Sequence, residues 1–334
     1  MSKAPFGYAV VNLGCKVNRV EADGFERLLG ERGGAPAPEG AADLIIVNTC
    51  TVTGEADKKT RKAVRHALSA NDGARIVVTG CATEIDAATY KAMGERVRVV
   101  PKAGMALFLN EMELPGSDSS SSDLTAHGGR SSVLPSDGRT RVGVKVQDGC
   151  DNFCSYCIIP YLRGRSRSRS LRSIVNEANE MAKRTREIVV TGINVSDYGS
   201  DIGLTLFDLV HALSAVPARK RFGSLECTVV DEKLLNEMKN GDWCDSVHLS
   251  MQSGSDTVLR RMNRKYTSEF FIEKCDLIKR YFPDAGITTD VIVGFPGETD
   301  EEFEETVRVC RRAGFAWLHV FPYSSRKEIG RAHV

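Results

Sequence analysis

Short apolar runs that end in a cysteine constrain the fold of this chain most strongly. Three such runs occur in the first hundred residues: Ala9–Cys15, Leu44–Cys50 and Ile76–Cys81. Helix-type patterns at 21–31 and 57–70 separate them, and short apolar runs alternating with helices are typical of a parallel sheet with crossover helices. Functional groups in such sheets gather beyond the carboxyl ends of the strands. We therefore expect Cys15, Cys50 and Cys81 to lie at one edge of a sheet.

A second set of three cysteines is compact. Cys150, Cys154 and Cys157 follow the predicted strand Val142–Val146 within one loop. Closed zinc sites take four protein ligands, and four-cysteine iron–sulfur sites leave no iron free. Three cysteines on a four-iron cluster leave one iron open to another ligand, so two sets of three predict two reactive clusters. A zinc knuckle or three buried thiols are the alternatives for the compact set.

The second half of the chain also alternates strands and helices. Six strands, all connected through helices, predict a partial (βα) barrel, with sites at the carboxyl ends of the strands. The strands after the first are predicted at Glu187–Thr191, Ser224–Cys227, Ser246–Met251, Thr288–Val293 and Trp317–Val320. The predicted fold class is therefore α/β: an N-terminal parallel-sheet domain over residues 1–112, a Gly/Ser-rich flexible linker over 113–139, and a barrel over 140–326.

Composition narrows the compartment and the partners. The chain has 334 residues, of which 42% are hydrophobic and 27% charged, as expected of a globular protein. It shows no signal peptide and no membrane-length apolar run, so we expect a cytoplasmic protein without a membrane partner, whose cysteines are reduced. Net charge is +1, but arginines alternate over Arg163–Arg169. That run is interpreted as an ordered segment facing a ligand or RNA, with a disordered RNA-binding tract as the alternative.

Other candidate ligands carry weaker signals. None of the six histidines belongs to a metal-spacing pair in the sequence, so structural or surface roles are expected for them. Four further cysteines are scattered and are interpreted as small buried hydrophobic residues: Cys227, Cys244, Cys275 and Cys310.

Several segments together resemble the radical S-adenosylmethionine (SAM) methylthiotransferase family. The compact cysteine loop with Tyr156 before its last cysteine resembles the wider radical SAM superfamily. The segments similar to the methylthiotransferases are Leu13–Asn18, Val47–Thr53, Val78–Cys81, Gln147–Cys150, Ile158–Arg169, Gln252–Asp256 and Asp290–Glu298. They appear in family order and cover residues 7–326 apart from the linker.

The resemblance implies a transferase with two [4Fe-4S] clusters and SAM as cofactors. Cys150, Cys154 and Cys157 would hold the cluster that cleaves SAM to a 5′-deoxyadenosyl radical, and Cys15, Cys50 and Cys81 an auxiliary cluster that carries the sulfur. A second SAM would supply the methyl group. Six further residues are candidate SAM contacts under this resemblance: Tyr156, Gly192, Asn194, Gln252, Ser253 and Asp290. For the residues from Gly192 onward, a structural turn or a satisfied polar group is the alternative.

Three branches of the family differ in substrate. The segments Leu13–Asn18, Asn48–Thr53 and Arg260–Thr267 look most like the branch that modifies C2 of N6-threonylcarbamoyladenosine, 3′ of the anticodon in tRNA. The other branches act on isopentenyl-adenosine in tRNA or on a ribosomal-protein aspartate, and both remain alternatives, as does a non-catalytic zinc and RNA-binding protein. The implied partners are tRNA, an electron donor such as flavodoxin or ferredoxin, and a sulfur source.

The end of the chain departs from the family pattern. The family continues with a small RNA-binding β-barrel, whereas this chain reads Lys327–Val334 after the sixth barrel strand. We expect residues 327–334 to be a non-native tail and the RNA-binding domain to be absent, which would weaken tRNA affinity.

Overall fold

A computed structural model of the chain describes residues 6–51, 54–113 and 140–325, together with Ile329. The chain divides into two compact units, residues 1–139 and 140–334. The predicted linker beyond Glu113 and, apart from Ile329, the predicted tail lie outside the described residues. Among the helices described, none combines the length and the apolar character that a membrane crossing requires.

The first unit is a five-stranded parallel sheet covered by helices. Its strand order is β2-β1-β3-β4-β5, and all of its pairs are parallel. The strands are β1 Gly7–Asn12, β2 Ala35–Pro36, β3 Leu44–Thr49, β4 Arg75–Gly80 and β5 Val97–Val99. The helices are α1 Lys16–Glu31, α2 Gly54–Ala70, α3 Cys81–Ile85, α4 Ala87–Lys91 and α5 Met105–Glu111.

Two apolar layers enclose this sheet. Leu29 of α1 and Leu109 of α5 pack with Ile46 on one side, while Val64 of α2 packs with Val47 on the other. All six residues of β3 are buried, as expected of a central parallel strand covered on both faces. Full burial of such a side chain stabilises the fold by about 1.5–3 kcal/mol. The buried sheet therefore fixes the positions of the loops that follow its strands.

The second unit has its strands in two parallel-dominated sheets. One has the order β7-β6-β8-β9 and the other β10-β11-β12, and only the β6–β7 pair is antiparallel. The strands are β6 Arg141–Asp148, β7 Arg167–Ser168, β8 Glu187–Gly192, β9 Arg219–Phe222, β10 Val247–His248, β11 Ile287–Val293 and β12 Trp317–Pro322. The helices are α6 Ile159–Arg163, α7 Leu171–Ala182, α8 Leu206–Ser214, α9 Glu232–Asn240, α10 Asp256–Arg261, α11 Ser268–Tyr281 and α12 Asp300–Ala313.

Isolated bridges join the two sheets into one curved wall. Leu225 pairs with Leu249, and Lys220 pairs with Trp243, both in parallel orientation. The amide of Leu225 donates to the carbonyl of His248 over 2.8 Å. The wall β6-β8-β9-β10-β11-β12 with helices along its outside confirms the predicted α/β class with a partial (βα) barrel.

Two barrel strands differ from their sequence-based prediction. The third is Arg219–Phe222 instead of Ser224–Cys227, and Cys227–Val229 forms a 3-10 turn. The strand Arg219–Phe222 is rich in basic residues and therefore lacks the apolar pattern on which the prediction relied. Lys220 is nevertheless buried, and its ammonium donates to the Val216 carbonyl over 3.1 Å. The fourth, predicted at Ser246–Met251, is only Val247–His248. Tertiary pairing rather than apolar periodicity defines both strands.

Candidate active site

The three dispersed cysteines lie beyond the carboxyl ends of three neighbouring strands. Cys50 directly follows β3 and Cys81 directly follows β4, while Cys15 begins the first turn of α1 after β1. The register aligns these ends, because Asn12 pairs with Asn48 and Thr49 pairs with Gly80. Cys50 and Cys81 are buried and Cys15 is exposed. The sheet therefore brings the three positions to one edge, as the strand pattern predicted.

Two buried asparagines link the loops that carry these cysteines. The side-chain amide of Asn18 donates to the backbone carbonyl of Thr49 over 2.9 Å, and the side-chain amide of Asn48 donates to the backbone carbonyl of Asn18 over 2.8 Å. The Cys15 thiol donates to Oδ1 of Asn18 over 3.4 Å. Both asparagines are fully enclosed, and buried amides are found where their hydrogen bonds are satisfied. Asn18 thus ties Cys15 to the end of β3.

Gly80 permits the close approach of β3 and β4 just before Cys81. Its φ is +105°, a conformation that side chains disfavour, and a Cβ there would lie 2.5 Å from the Thr49 carbonyl oxygen. Two residues after Gly80, the backbone amide of Ala82 donates to Thr49 Oγ1 over 3.1 Å. The turn that positions Cys81 is therefore packed against the residue before Cys50.

The compact cysteine loop begins at a similar glycine. Gly149 has φ +75°, and a Cβ at this position would lie 1.9 Å from the Arg165 carbonyl oxygen. The amide of Cys150 donates to the Gly164 carbonyl over 3.1 Å, and that of Cys157 to the Cys154 carbonyl over 2.9 Å. The loop thus turns tightly between β6 and α6, with Cys154 buried and the other two sulfurs half-buried.

A distant segment holds the outer side of this loop. Oγ of Ser155 donates to the Arg261 carbonyl over 2.8 Å, and the Ser155 amide donates to the Met262 carbonyl over 3.1 Å. The Asn263 side-chain amide donates to the carbonyls of Asn152 and Phe153 over 3.2 and 2.9 Å. Four hydrogen bonds between the loop and residues 261–263, at the end of α10, therefore fix the shape of the cysteine loop.

Arg264 extends the same segment to a cysteine sulfur. Its guanidinium lies 3.4 Å from Sγ of Cys154 and is almost completely buried. It forms an ion pair with Glu226 and donates to the Ser250 carbonyl over 3.0 Å and to the Tyr266 hydroxyl over 3.0 Å. A buried charge needs such partners. A fixed positive charge consequently contacts Cys154, a role the sequence reasoning did not assign.

Gln147 connects the loop to the end of β8. Its amide donates to the Gly149 carbonyl over 2.7 Å and to Ser166 Oγ over 2.9 Å, while its Oε1 accepts from the Asn194 amide over 2.8 Å. A Cβ on Gly192 would approach the Gln147 carbonyl oxygen to 3.1 Å. The predicted SAM-contact residues Gly192 and Asn194 thus lie against the residue that precedes the cysteine loop.

The other predicted SAM contacts lie at different depths. Gln252 adopts φ +69°, and its backbone pairs with β11. The Gln252 amide donates to the Asp290 carbonyl, and the Gln252 carbonyl accepts from the Ile292 amide. Ser253 is fully buried, and its hydroxyl pairs with Thr306 Oγ1 at 3.2 Å.

Tyr156 packs beside Met262 and Phe295, while the Asp290 carboxylate lies 3.3 Å from His248 Nε2. Contact with SAM stays a prediction for four side chains: Tyr156, Gln252, Ser253 and Asp290.

The donor set of the compact loop suits iron better than a single zinc ion. Burial raises the pKa of the Cys157 thiol to about 12 and also raises that of Cys150. Because metals bind the thiolate, iron must displace protons here. A tetrahedral zinc site would place sulfurs about 3.8 Å apart, yet within the described residues neither cysteine set has all three sulfurs within 4.8 Å of one another. A four-iron cluster binds each sulfur through a different iron and therefore does not require the three sulfurs to lie that close together.

The arginine run after the loop is ordered. Arg163 ends α6 and is buried against Asp148 at 3.1 Å, and Arg169 pairs with Glu177 at 2.7 Å. Arg165 is exposed and pairs with Asp151 at 3.0 Å, while Arg167 donates to the Arg163 carbonyl over 3.2 Å. The segment is thus ordered, as interpreted from the sequence, and three of the four arginines form ion pairs within the protein. Its orientation toward a ligand or RNA stays a prediction.

Sequence reasoning missed the supporting residues more than the cysteines. Gln147, Asn18 and Asn48 lie inside segments used for the family resemblance, so their position beside a cysteine was a usable signal. Arg264 is 110 residues from Cys154, and no local pattern joins them. Cys227, Cys244 and Cys275 are buried and Cys310 is half-buried, consistent with packing roles.

Comparison with family profiles divides the chain as the structure does. The Radical SAM superfamily matches residues 144–310, and the uncharacterized protein family UPF0004 matches residues 7–101.

Among proteins, the threonylcarbamoyladenosine tRNA methylthiotransferase MtaB of Chlamydia pneumoniae is 37% identical over 96% of this chain and 75% of its own length. MtaB of Bacillus subtilis is 35% identical over 94% of this chain and 72% of its own length. The tRNA-2-methylthio-N(6)-dimethylallyladenosine synthase of Desulfitobacterium hafniense is 32% identical over 98% and 76%.

Among solved structures, the apo cobalamin-dependent S-adenosylmethionine radical enzyme OxsB shares the fold, with a TM-score of 0.58 at 11% identity. The match covers 91% of this chain, which spans about half (51%) of that enzyme. Similarity to methylthiotransferases over nearly the whole of this chain, not this fold likeness, decides the family, and the non-catalytic zinc-protein alternative is wrong. The chain belongs to the radical SAM methylthiotransferase family and is a transferase that uses SAM and a [4Fe-4S] cluster.

Proposed function

We propose that this transferase adds a methylthio group to C2 of N6-threonylcarbamoyladenosine in tRNA, using two [4Fe-4S] clusters. The observation that carries the proposal is the pairing of two three-cysteine sites with relatives named for this substrate at 35–37% identity. Cys150, Cys154 and Cys157 hold the SAM-binding cluster, and Cys15, Cys50 and Cys81 hold the auxiliary cluster. When bound, the first cluster supplies the electron for reductive cleavage of SAM, and the second carries the sulfur to be transferred.

The protein's own groups position and shield these cofactors. Arg264 is almost completely buried, donates a hydrogen bond to Cys154 Sγ and places a positive charge beside that sulfur. Gln147 bonds both the Gly149 carbonyl and the Asn194 amide, and so ties the cysteine loop to the end of β8. The Asn18–Asn48 pair keeps Cys15 and Cys50 in register with Cys81. Most of the chemistry belongs to the cofactors, and the chain supplies binding and orientation.

The partners follow from this chemistry. The reaction needs tRNA, an electron donor such as flavodoxin or ferredoxin, and a source of sulfur, which together suit a cytoplasmic enzyme. Arg165 is exposed and follows the cysteine loop in sequence, while the exposed Arg260 and Lys265 flank the segment 261–264 that contacts this loop. All three side chains suit phosphate contact.

A second candidate substrate is dimethylallyl-adenosine (isopentenyl-adenosine) in tRNA. Relatives named for that reaction are 32–33% identical over nearly the whole chain. The nucleobase and the transferred group are the same, and the two candidates differ in the N6 substituent of the adenosine.

The substrate is tested by supplying both tRNAs. Reconstituted enzyme is incubated anaerobically with SAM, sulfide and reductant, with tRNA carrying either modified adenosine, and the nucleosides are analysed by mass spectrometry. We expect a gain of one methylthio group on threonylcarbamoyladenosine only. Product on dimethylallyl-adenosine alone would transfer the assignment to the second candidate. A tRNA with unmodified adenosine is the matched control.

The number of clusters is tested separately by iron and sulfide analysis with electron paramagnetic resonance. About eight irons are expected in the unaltered chain and about four after Cys→Ala replacement of either cysteine set. Only the variant that retains Cys150, Cys154 and Cys157 should still cleave SAM. About four irons in the unaltered chain would disprove the second cluster while leaving the transferase assignment intact.

A further inference from the structure

Three metal-binding side chains, none of them a cysteine, meet on neighbouring strands of the barrel. They are His248 on β10, Asp290 on β11 and His319 on β12. One donor atom from each lies within 4.8 Å of the other two, and no other such group of three occurs among the described residues. The histidines are 71 positions apart in the chain, so only the barrel brings them together.

The strand register explains why they converge. Asp290 pairs directly with His319, and His248 pairs with Thr288, two residues before Asp290 on the same strand. Paired residues of neighbouring strands share a face, and so do residues two apart. Val247, Ile287 and Val291 point to the opposite face, where they belong to the apolar core with the helices. The three ligands therefore line the face of the wall that the helices do not cover.

The geometry within the group matches a coordination site. Nε2 of His248 lies 3.3 Å from Oδ1 of Asp290. With metal–nitrogen and metal–oxygen distances near 2.0–2.2 Å, two donors of a tetrahedral ion lie about 3.4 Å apart. A direct charge-assisted hydrogen bond would be shorter, at about 2.7–2.9 Å. His319 is exposed and contacts His248 with ring centroids 5.9 Å apart, so its imidazole is free to turn toward the pair.

The second ring nitrogen of His248, Nδ1, is buried and has no hydrogen-bond partner among the described residues. Buried polar atoms without partners are rare in native proteins. The contact of Nε2 with Asp290 therefore does not satisfy the whole imidazole.

We propose that His248, Asp290 and His319 bind a divalent transition-metal ion, with zinc the first candidate. Two imidazoles and one carboxylate suit zinc or ferrous iron, whereas magnesium and calcium prefer oxygen ligands throughout. Three protein ligands leave one position for water or for an oxygen atom of another ligand, as in catalytic zinc sites. The proposal does not rest on the proposed tRNA reaction, but it reassigns Asp290, one of the predicted SAM contacts, to a metal ion.

The location connects this site to the cysteine loop. Ile292 follows Asp290 by two residues on the same face of β11, about 7 Å along the strand. Ile292 packs into the small apolar cluster that also contacts Tyr156 of the cysteine loop. An ion at the proposed site would thus lie on the face of the barrel toward which the cysteine loop turns.

The first test measures zinc in cluster-loaded protein, in which iron already occupies the cysteines. The full chain is incubated with zinc chloride, desalted and analysed for zinc and iron. We expect one zinc per chain, and a loss of zinc affinity of about 100-fold or more in His319→Ala and Asp290→Asn with iron unchanged. His319 is exposed, so its replacement leaves the core intact.

A matched control uses a histidine–carboxylate pair without a third ligand. His211 Nδ1 lies 3.2 Å from Glu237 Oε1 between α8 and α9. His211→Ala should leave zinc binding unchanged. Equal zinc content in the unaltered chain and in His319→Ala would overturn the proposal.

A second test identifies the ligand atoms. Cobalt(II) is added to the full chain with Cys→Ser replacements at Cys15, Cys50, Cys81, Cys150, Cys154 and Cys157. Tetrahedral cobalt bands without a thiolate charge-transfer band, lost in His248→Ala, would support nitrogen and oxygen ligands. A thiolate band, or bands unchanged in His248→Ala, would show that the metal binds elsewhere and would refute the site.

Discussion

The two cysteine sites solve the same problem in opposite ways. The first unit spreads Cys15, Cys50 and Cys81 over three strand ends and aligns them through sheet register and two buried asparagines. The barrel places three cysteines in one eight-residue loop and fixes that loop from Gln147 and from residues 261–264. The dispersed site therefore depends on the sheet, whereas the compact site depends on tertiary hydrogen bonds to its backbone.

The largest effects should come from the glycine that precedes a cysteine in each site. Gly149→Ala and Gly80→Ala both force a Cβ into a backbone oxygen at a positive φ, and each should cost more than about 3 kcal/mol of unfolding free energy. We expect each variant to lose iron from its own site only, measured by iron analysis after reconstitution and by urea unfolding.

Gly24→Ala is the control for this pair. Gly24 lies within α1, and an added Cβ would meet nothing within 4 Å. The variant should gain about 0.5–1 kcal/mol with full iron content. If Gly80→Ala also emptied the barrel loop, the two sites would not be independent.

Gln147→Leu tests how far the compact site depends on one amide. The change removes hydrogen bonds to Gly149, Ser166 and Asn194 and should cost about 3 kcal/mol because buried partners lose their bonds. Iron should fall by about half, together with SAM cleavage. Asn179→Ala removes an exposed amide from α7 and should change stability by less than about 0.5 kcal/mol. Normal iron and SAM cleavage in Gln147→Leu would contradict the positioning role.

Asn18→Ala is the corresponding test of the dispersed site. It removes the bonds to the Thr49 carbonyl and to the Cys15 thiol, with an expected cost of about 1–3 kcal/mol. The auxiliary iron should be lost while SAM cleavage continues. Asn71→Ala breaks a similar bond to the Ala42 carbonyl, away from the cysteines, and should lower stability without loss of iron. Equal iron loss in both variants would point to general destabilisation.

The smallest effect on the cluster itself is expected for the charge beside Cys154, since the larger cost, about 3–5 kcal/mol of stability, comes from leaving Glu226 without its buried partner. Arg264→Met removes a hydrogen bond and a positive charge from the sulfur, and both favour the reduced cluster. The reduction potential should become more negative by about 30–60 mV, a three- to tenfold change for one electron, measured by redox titration with electron paramagnetic resonance. Arg261→Met, whose side chain bonds Glu302 and the Gly297 carbonyl instead, should leave the potential unchanged. A purely structural Arg264 would give the same potential in both variants.

Elements with local signals were predictable. Helix α12 occupies Asp300–Ala313, and both of its ends carry local signals. A capping box between Thr299 and Glu302 starts it, and Gly314 ends it in the left-handed conformation. The apolar strands β3 and β4 were likewise found within a residue or two of their predicted ends. Strand β9 was not, because Arg219–Phe222 has no apolar periodicity and is defined by its ladder with β8.

By itself, the sequence determined the ligand chemistry and its grouping: two sets of three cysteines, each placed after predicted strands, within an alternating α/β pattern. These properties depend on residue type and short-range spacing, which are read directly along the chain. Only the tertiary structure decided that Arg264 contacts Cys154, that Asn18 meets β3, and that His248, Asp290 and His319 share one face. Such contacts depend on strand register and on packing between distant segments, because no short-range pattern encodes which segments become neighbours.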